Sequence, residues 1–299
     1  MSDSFSSVAL AVALATVMFG VGLALTLDDF RRLIRYPRAA VVALTLQTLF
    51  LPLVAYAIVR ATGLSVEFGI GLMVLAAAPG GVIANVFSHL FGGNVALNVT
   101  LTAVNTVLAS VTLPIILDWS IKALSNESVH VPFVWAKVLE VIGVVLVPIA
   151  VGMLVASRHP RASTALARPM KLLSGAVLVV LVGVSIVREW ATISGAIFQV
   201  GGAVLAFNLI SLLTGYVLSR MATLDRSMAI AIAFEIGIHN STLAMYIAIQ
   251  VLGAMAYAVP AAIYAVSMLL TATAFGFWLR RFDQRAAVNQ HLQLKKQHR

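Results

Sequence analysis

The sequence predicts an all-α polytopic membrane protein with about nine transmembrane helices, two of them discontinuous. Three observations predict it. Of the 299 residues, 61% are hydrophobic and only 10% are charged, where a soluble domain carries about 25% charged residues. Charges and helix breakers cut the chain into apolar stretches of roughly 20 residues, the length that crosses a hydrocarbon core of about 30 Å. The basic residues crowd into alternate connections between those stretches. Together these exclude a soluble globular domain and a disordered chain. There are no cysteines, so disulfides, thiolate metal sites and cysteine nucleophiles are excluded too.

The elements follow in order. Span one, Ser7–Leu27, is 21 residues without a charge. The residues before it hold Asp3 and no base, so the positive leader of a signal peptide is missing, and it reads as a retained span. Span two is about Arg38–Ile58. Phe68–Leu117 then runs 50 residues without Asp, Glu, Lys or Arg. As one helix that would be about 75 Å long, so it must fold back. The breakers are Pro79-Gly80-Gly81 and Gly92-Gly93. Span three is therefore about Glu67–Phe91, broken at Pro79-Gly80-Gly81, and span four is about Asn94–Leu117. Spans five, six and seven are about Phe133–Ala156, Met170–Val187 and Gly195–Ser219. Span eight, about Ser227–Leu252, is interrupted near Gly237, and span nine is about Ala258–Leu279. Arg280–Arg299 is a polar, basic tail.

Nine spans put the termini on opposite sides. One side then holds 16 Lys and Arg, among them Arg31, Arg32, Arg158 and Arg280, and the other holds Arg60, Lys122, Lys137 and Arg188. The positive-inside rule assigns the larger group to the cytoplasm. The N-terminus is expected outside and the C-terminus inside. The net charge of +9 is thereby explained by orientation, with no nucleic acid partner.

Spans three and eight echo each other. Each starts at an acid, Glu67 or Asp225, and breaks 12 residues later, at Pro79 or Gly237. Each carries an Asn just past the break, Asn85 or Asn240. They are five spans apart, so they cross in opposite directions. This is the pattern of an inverted-repeat transporter whose broken helices meet near the midplane.

Glu235 lies deep in span eight, where a carboxylate costs about 2.5–3.5 kcal/mol or more. It needs a cation, a proton or a base; the plain alternative is a protonated structural carboxylate. The stretch Glu235-Ile236-Gly237-Ile238-His239-Asn240 offers a carboxylate beside unwound carbonyls, an all-oxygen environment suited to a hard cation such as Na+. Pro79-Gly80-Gly81 frees carbonyls in span three in the same way. Helices restarting near Val82 and Asn240 point positive ends into the gap, which favours an anion. Asn85, Asn98 and Thr102 add side-chain oxygens, with Asn98 and Thr102 on one face of span four; such residues also serve as plain interhelical hydrogen bonds. A Glu235–His239 zinc site lacks further ligands, and no hydrolase motif is present. Lys137 and Glu140 read as a structural pair.

Three stretches resemble the bile acid:sodium symporter family: Pro79-Gly80-Gly81-Val82-Ile83-Ala84-Asn85, Gly93-Asn94-Val95-Ala96-Leu97-Asn98 and Glu235-Ile236-Gly237-Ile238-His239-Asn240. The resemblance implies ten helices in two inverted repeats, a core domain with two crossing broken helices, and a panel domain. This chain aligns from the family's second helix, giving nine. The implied division is panel helices one and two in 1–61, core helices three and four in 62–125, panel helices five and six in 126–190, core helices seven to nine in 191–281, and a cytoplasmic tail in 282–299.

The resemblance also implies two sodium sites. The first would use Ala84, Asn85, Asn98, Thr102 and Glu235. The second would use Gln47, Glu235, Ile236, Ile238 and His239, the last standing where the family commonly has Gln. The substrate would sit near Pro79, Gly80, Gly81, Val82, Asn240 and Ser241. Ser267-Met268-Leu269 replaces a polar, substrate-facing stretch of the family. The implied function is sodium-coupled uptake of an organic anion across a bacterial inner membrane, with no cofactor beyond Na+ as coupling ion, no enzymatic activity, and lipids as surroundings. The expected cargo is a small carboxylate, a keto acid or pantoate-like compound, or a bile-acid-like anion. The alternatives are a proton-coupled carrier with Glu235 and His239 as relay, and a membrane sensor or channel.

Overall fold

The computed structural model describes residues 2–125, 135–159, 161, 163, 165, 166, 169 and 190–297. Span six, Met170–Val187, lies outside the described residues, and so do the side chains of Lys137 and Glu140. Among the described residues every regular element is a helix, joined by short turns, and one isolated bridge pairs Gly80 with His239.

Helix α1 is Ser2–Ala24. A short helix that apolar counting does not foresee, α2, follows at Leu27–Arg32. Its start is a reciprocal capping box: Asp29 N–H donates to Thr26 Oγ1 (3.3 Å) and Thr26 N–H to Asp29 Oδ2 (2.7 Å). Asp29 also takes Arg32 at 2.9 Å.

Span two comprises α3, Pro37–Thr45, a wide π turn at Leu46–Phe50, and α4, Leu51–Thr62. The π turn has a visible cause. Pro52 has no N–H to offer the Thr48 carbonyl and its ring crowds that carbonyl, so the helix widens just before it. Gly63 ends α4 in the left-handed conformation (φ 63°), where a side chain would be strained.

Spans three and eight are broken as expected. The first comprises α5, Val66–Ala77, and α6, Val82–Leu90. Next come α7, Val95–Leu124, α8, Trp135–Arg158, and α9, Trp190–Met221. The second broken span is α10, Arg226–Gly237, with α11, Ser241–Gln250. Helix α12 is Val259–Gln297.

Two ends run further than expected. Helix α7 passes Leu117 because Lys122 reaches back to Asp118 at 2.6 Å, an i,i+4 pair that supports the extra turns. Helix α12 continues through the basic tail to Gln297, since no Pro or Gly interrupts the chain after Gly276.

Helix α1 packs chiefly along α8. The close approach needs Gly152, where a Cβ would sit 2.5 Å from the Phe19 carbonyl oxygen. Among the described residues, span two packs mainly against α5, α7, α9 and α10, and it carries a small buried face of Ala39, Ala40 and Ala43 together with Gln47.

Candidate ion site at the helix crossover

Breaking a helix inside a membrane leaves backbone groups that no water can satisfy. Here the two breaks satisfy each other. Gly81 N–H donates to the Ile238 carbonyl and Asn240 N–H to the Pro79 carbonyl, both at 2.8 Å. Pro79, Gly80, Gly81, Asn240 and His239 are thereby brought together as two short extended segments joined by one antiparallel bridge, Gly80 with His239. A Cβ on Gly80 would fall 2.5 Å from Glu235 Cδ and 2.7 Å from the Glu235 carbonyl oxygen, so only glycine fits there. Gly81 opens α6, whose first residue is Val82. Asn240 caps α11, its Oδ1 accepting from Leu243 N–H at 3.1 Å. Ser241 starts that helix with its Oγ buried and unpartnered.

Glu235 is in the last turn of α10, with 0% of its surface exposed. Thr102 Oγ1 donates to Glu235 Oε2 at 2.6 Å and Asn105 Nδ2 to Oε1 at 3.1 Å. Among the described residues it takes part in no ion pair. Asn98 sits one turn before Thr102 on the same face of α7 and donates to the Ala231 carbonyl at 2.6 Å, one turn before Glu235. The groups around the carboxylate are thus neutral donors.

Among the described residues, four amide oxygens are buried without any donor: Gln47 Oε1, Asn85 Oδ1, Asn98 Oδ1 and Asn105 Oδ1. Each such oxygen costs roughly 1–3 kcal/mol if nothing takes its lone pairs. Gln47 lies on the π turn and spends its Nε2 on the Ala76 and Ala78 carbonyls, at 3.2 and 3.0 Å. His239 Nδ1 meets the same Ala78 carbonyl at 2.9 Å. A carbonyl only accepts, so Nδ1 carries the proton and the buried Nε2 is left without a partner. Ala84, Ile236 and Ile238 are fully buried. The Ile238 and His239 carbonyls already accept from Gly81 and Ser241, each with a second lone pair to spare.

The sequence reading missed Asn105. Its signal was present: Asn105 is three residues after Thr102 and seven after Asn98, so all three share one helical face.

A buried carboxylate, free amide oxygens and two paired helix breaks match the three stretches that carried the family resemblance. The description of the sodium bile acid symporter family fits residues 11–196. The chain belongs to that family. As a family member it is an integral membrane transporter. It is similar to a Bacillus subtilis protein named as an uncharacterized sodium-dependent transporter, YocS, with 32% identity over 92% of this chain and 84% of that one. It is 28% identical to an Arabidopsis thaliana chloroplast protein, the probable sodium/metabolite cotransporter BASS1, over 90% of this chain and 66% of that one. It is 32% identical to the human P3 protein over 75% of this chain and 47% of that one. The chain therefore spans most of the Bacillus relative, about two thirds of the plant one and about half of the human one.

Proposed function

We propose that this protein couples Na+ entry to uptake of a small organic anion by alternating access. The observation that carries the reading is Glu235, wholly buried and with no paired cation among the described residues, held by Thr102 and Asn105 of a helix whose Asn98 and Asn105 amide oxygens have no donor there. A hard cation of modest charge satisfies both needs at once. The sodium-dependent names of the similar Bacillus and Arabidopsis proteins support the choice of Na+.

In this reading the first ion is held by Asn85, Asn98, Thr102 and Glu235 with the carbonyl at Ala84, and Asn105 orients the carboxylate. The second is held by Gln47 and Glu235 with the carbonyls of Ile236, Ile238 and His239. The anion lies at the crossover, where α6 and α11 both begin and their positive ends favour a carboxylate. Its candidates remain small carboxylates of the keto-acid or pantoate-like kind. Span two joins the core on the strength of its packing, with spans one, five and six as the moving panel against it. The N-terminus faces outward and the C-terminus lies in the cytoplasm of a bacterial cell.

The test is uptake of radiolabelled carboxylates into proteoliposomes holding the purified full chain. An inward Na+ gradient is expected to drive accumulation, and K+ or choline is not. Accumulation driven equally by a proton gradient without Na+ would refute the reading.

A further inference from the structure

Gln47 has a counterpart that the sodium reading does not use. Asn208, on α9, is fully buried and donates from Nδ2 to the Gly237 carbonyl, the last of α10, at 2.8 Å. Gln47 binds the end of α5 and Asn208 the end of α10. They lie on spans two and seven, five apart, as the broken spans three and eight are. Each repeat therefore has one amide clamp on its broken helix, reached from the span just before it.

The two clamps differ in one atom. Gln47 Oε1 has no donor. Asn208 Oδ1 is met by the Thr271 hydroxyl of α12, whose single proton it shares as acceptor with the Ser267 and Met268 carbonyls. Tyr264, also on α12, completes the set: its hydroxyl donates to the Gly237 carbonyl and accepts from Asn208 Nδ2, both at 2.8 Å. With the Thr271 proton on Asn208 Oδ1, the amide of Asn208 and the hydroxyl of Tyr264 are fully satisfied. A polar network with every member satisfied holds its atoms rigidly. The same residues grip His239. Its ring stacks on Phe207 (centroids 5.4 Å apart) and meets the edge of Tyr264 (5.6 Å). That posture aims Nδ1 at the Ala78 carbonyl, which Gln47 also binds. A continuous chain of contacts runs from Thr271 through Asn208, Tyr264 and His239 to Gln47.

We propose that Asn208, Tyr264 and Thr271 are positioning residues for sodium binding. They fix the Gly237 carbonyl and the His239 ring, and so set the geometry of the Glu235–His239 segment and of Gln47. They are the closed copy of the Gln47 clamp: where Gln47 leaves an oxygen for the ion, the Thr271 hydroxyl occupies the equivalent oxygen. Ion binding is accordingly one-sided in a twofold-related frame. This rests on the sodium reading above.

The experiment measures sodium binding by the purified full chain through Na+-dependent thermal stabilisation, with the melting temperature in Na+-free buffer recorded alongside. Tyr264→Phe keeps the ring and removes the hydroxyl; Thr271→Val keeps the shape and removes the donor to Asn208. Each is expected to raise the half-saturating Na+ concentration about 5- to 10-fold, the worth of one buried hydrogen bond, and to weaken discrimination of Na+ over Li+. Thr271→Ser restores the hydroxyl and is expected to recover the affinity and selectivity that Thr271→Val loses. A merely structural network would lower the sodium-free melting temperature and leave affinity and selectivity untouched; that result overturns the proposal. Should Tyr264→Phe fail to fold, the Thr271 pair, at a half-buried position, decides by the same criteria. A wild type without any Na+ response would sink the sodium reading, and this inference with it. A responsive wild type with unaltered variants sinks the inference alone.

Discussion

Two adjacent glycines, Gly80 and Gly81, should respond oppositely to alanine. At Gly80 a methyl would lie 2.5 Å from Glu235 Cδ and 2.7 Å from the Glu235 carbonyl oxygen. Neither can step aside cheaply. The oxygen is backbone, and the carboxylate is pinned by Thr102 and Asn105. Relief requires spreading the two extended segments, which strains the Gly81–Ile238 and Asn240–Pro79 hydrogen bonds. Overpacking of this kind costs about 1–3 kcal/mol. Borne by the closed crossover that binds the ion, this corresponds to about a 5- to 150-fold loss of Na+ affinity. At Gly81 the nearest atoms are 3.6 Å away, an ordinary contact, and φ is −97°, which any residue adopts. Gly81→Ala should melt close to wild type. The assay is the apparent melting temperature of each purified variant across a Na+ titration. If Gly80→Ala responds to Na+ as wild type does, or if the two alanines behave alike, the close contact at Glu235 does not govern the site.

Three further outcomes are expected. Glu235→Gln keeps the shape and an acceptor oxygen but removes the charge; it should insert and purify normally yet lose sodium-driven uptake, and wild-type uptake by it would make the carboxylate purely structural. His239→Gln can keep a donor on the Ala78 carbonyl while placing an oxygen where the partnerless Nε2 now lies. It should raise Na+ affinity, by about tenfold for one added oxygen ligand, and an unchanged or weaker affinity would show that this side chain does not face the ion. For orientation, single cysteines are clean probes because the chain has none: Ala61→Cys, beside Gly63, should label from outside with an impermeant reagent, and Ile34→Cys, at an 80% exposed position, should be protected, whereas the reverse would invert the topology.

The architecture was legible because membrane spans announce themselves by length and charge. The breaks were legible because Pro79-Gly80-Gly81 and Gly237 interrupt otherwise apolar helices, and Glu235 because a lone carboxylate has few reasons to be there. What escaped the sequence was of two kinds. Helix α2 is short and polar, so its capping box carries the signal and not its hydropathy. The helical tail after Leu279 has helix-forming residues but no apolar face to advertise it. Asn105, Asn208 and Tyr264 escaped for another reason. A buried Asn or Tyr is ordinary on a transmembrane helix, and only the position of the carbonyl or carboxylate it meets, 130, 29 or 27 residues away, distinguishes a site residue from a helix-packing one.

The Ala78 carbonyl joins these observations into one physical account. A helix that stops within a membrane must find partners for its last carbonyls. Helix α5 finds them outside its own repeat as well as within it: Gln47 from the same repeat and His239 from the other converge on Ala78. Helix α10 does likewise, its Gly237 carbonyl held from α9 and α12 while Gly81 takes the next one. Each break is therefore a joint between the repeats, and neither can shift without the other. In the proposed reading, an ion at Glu235 would reach both joints: the carboxylate lies against Gly80, and Gln47, whose Oε1 has no donor among the described residues, binds the Ala78 carbonyl. Its charge would act on the whole crossover at once, which is the condition for an ion to bias one core against a separate panel in the proposed mechanism.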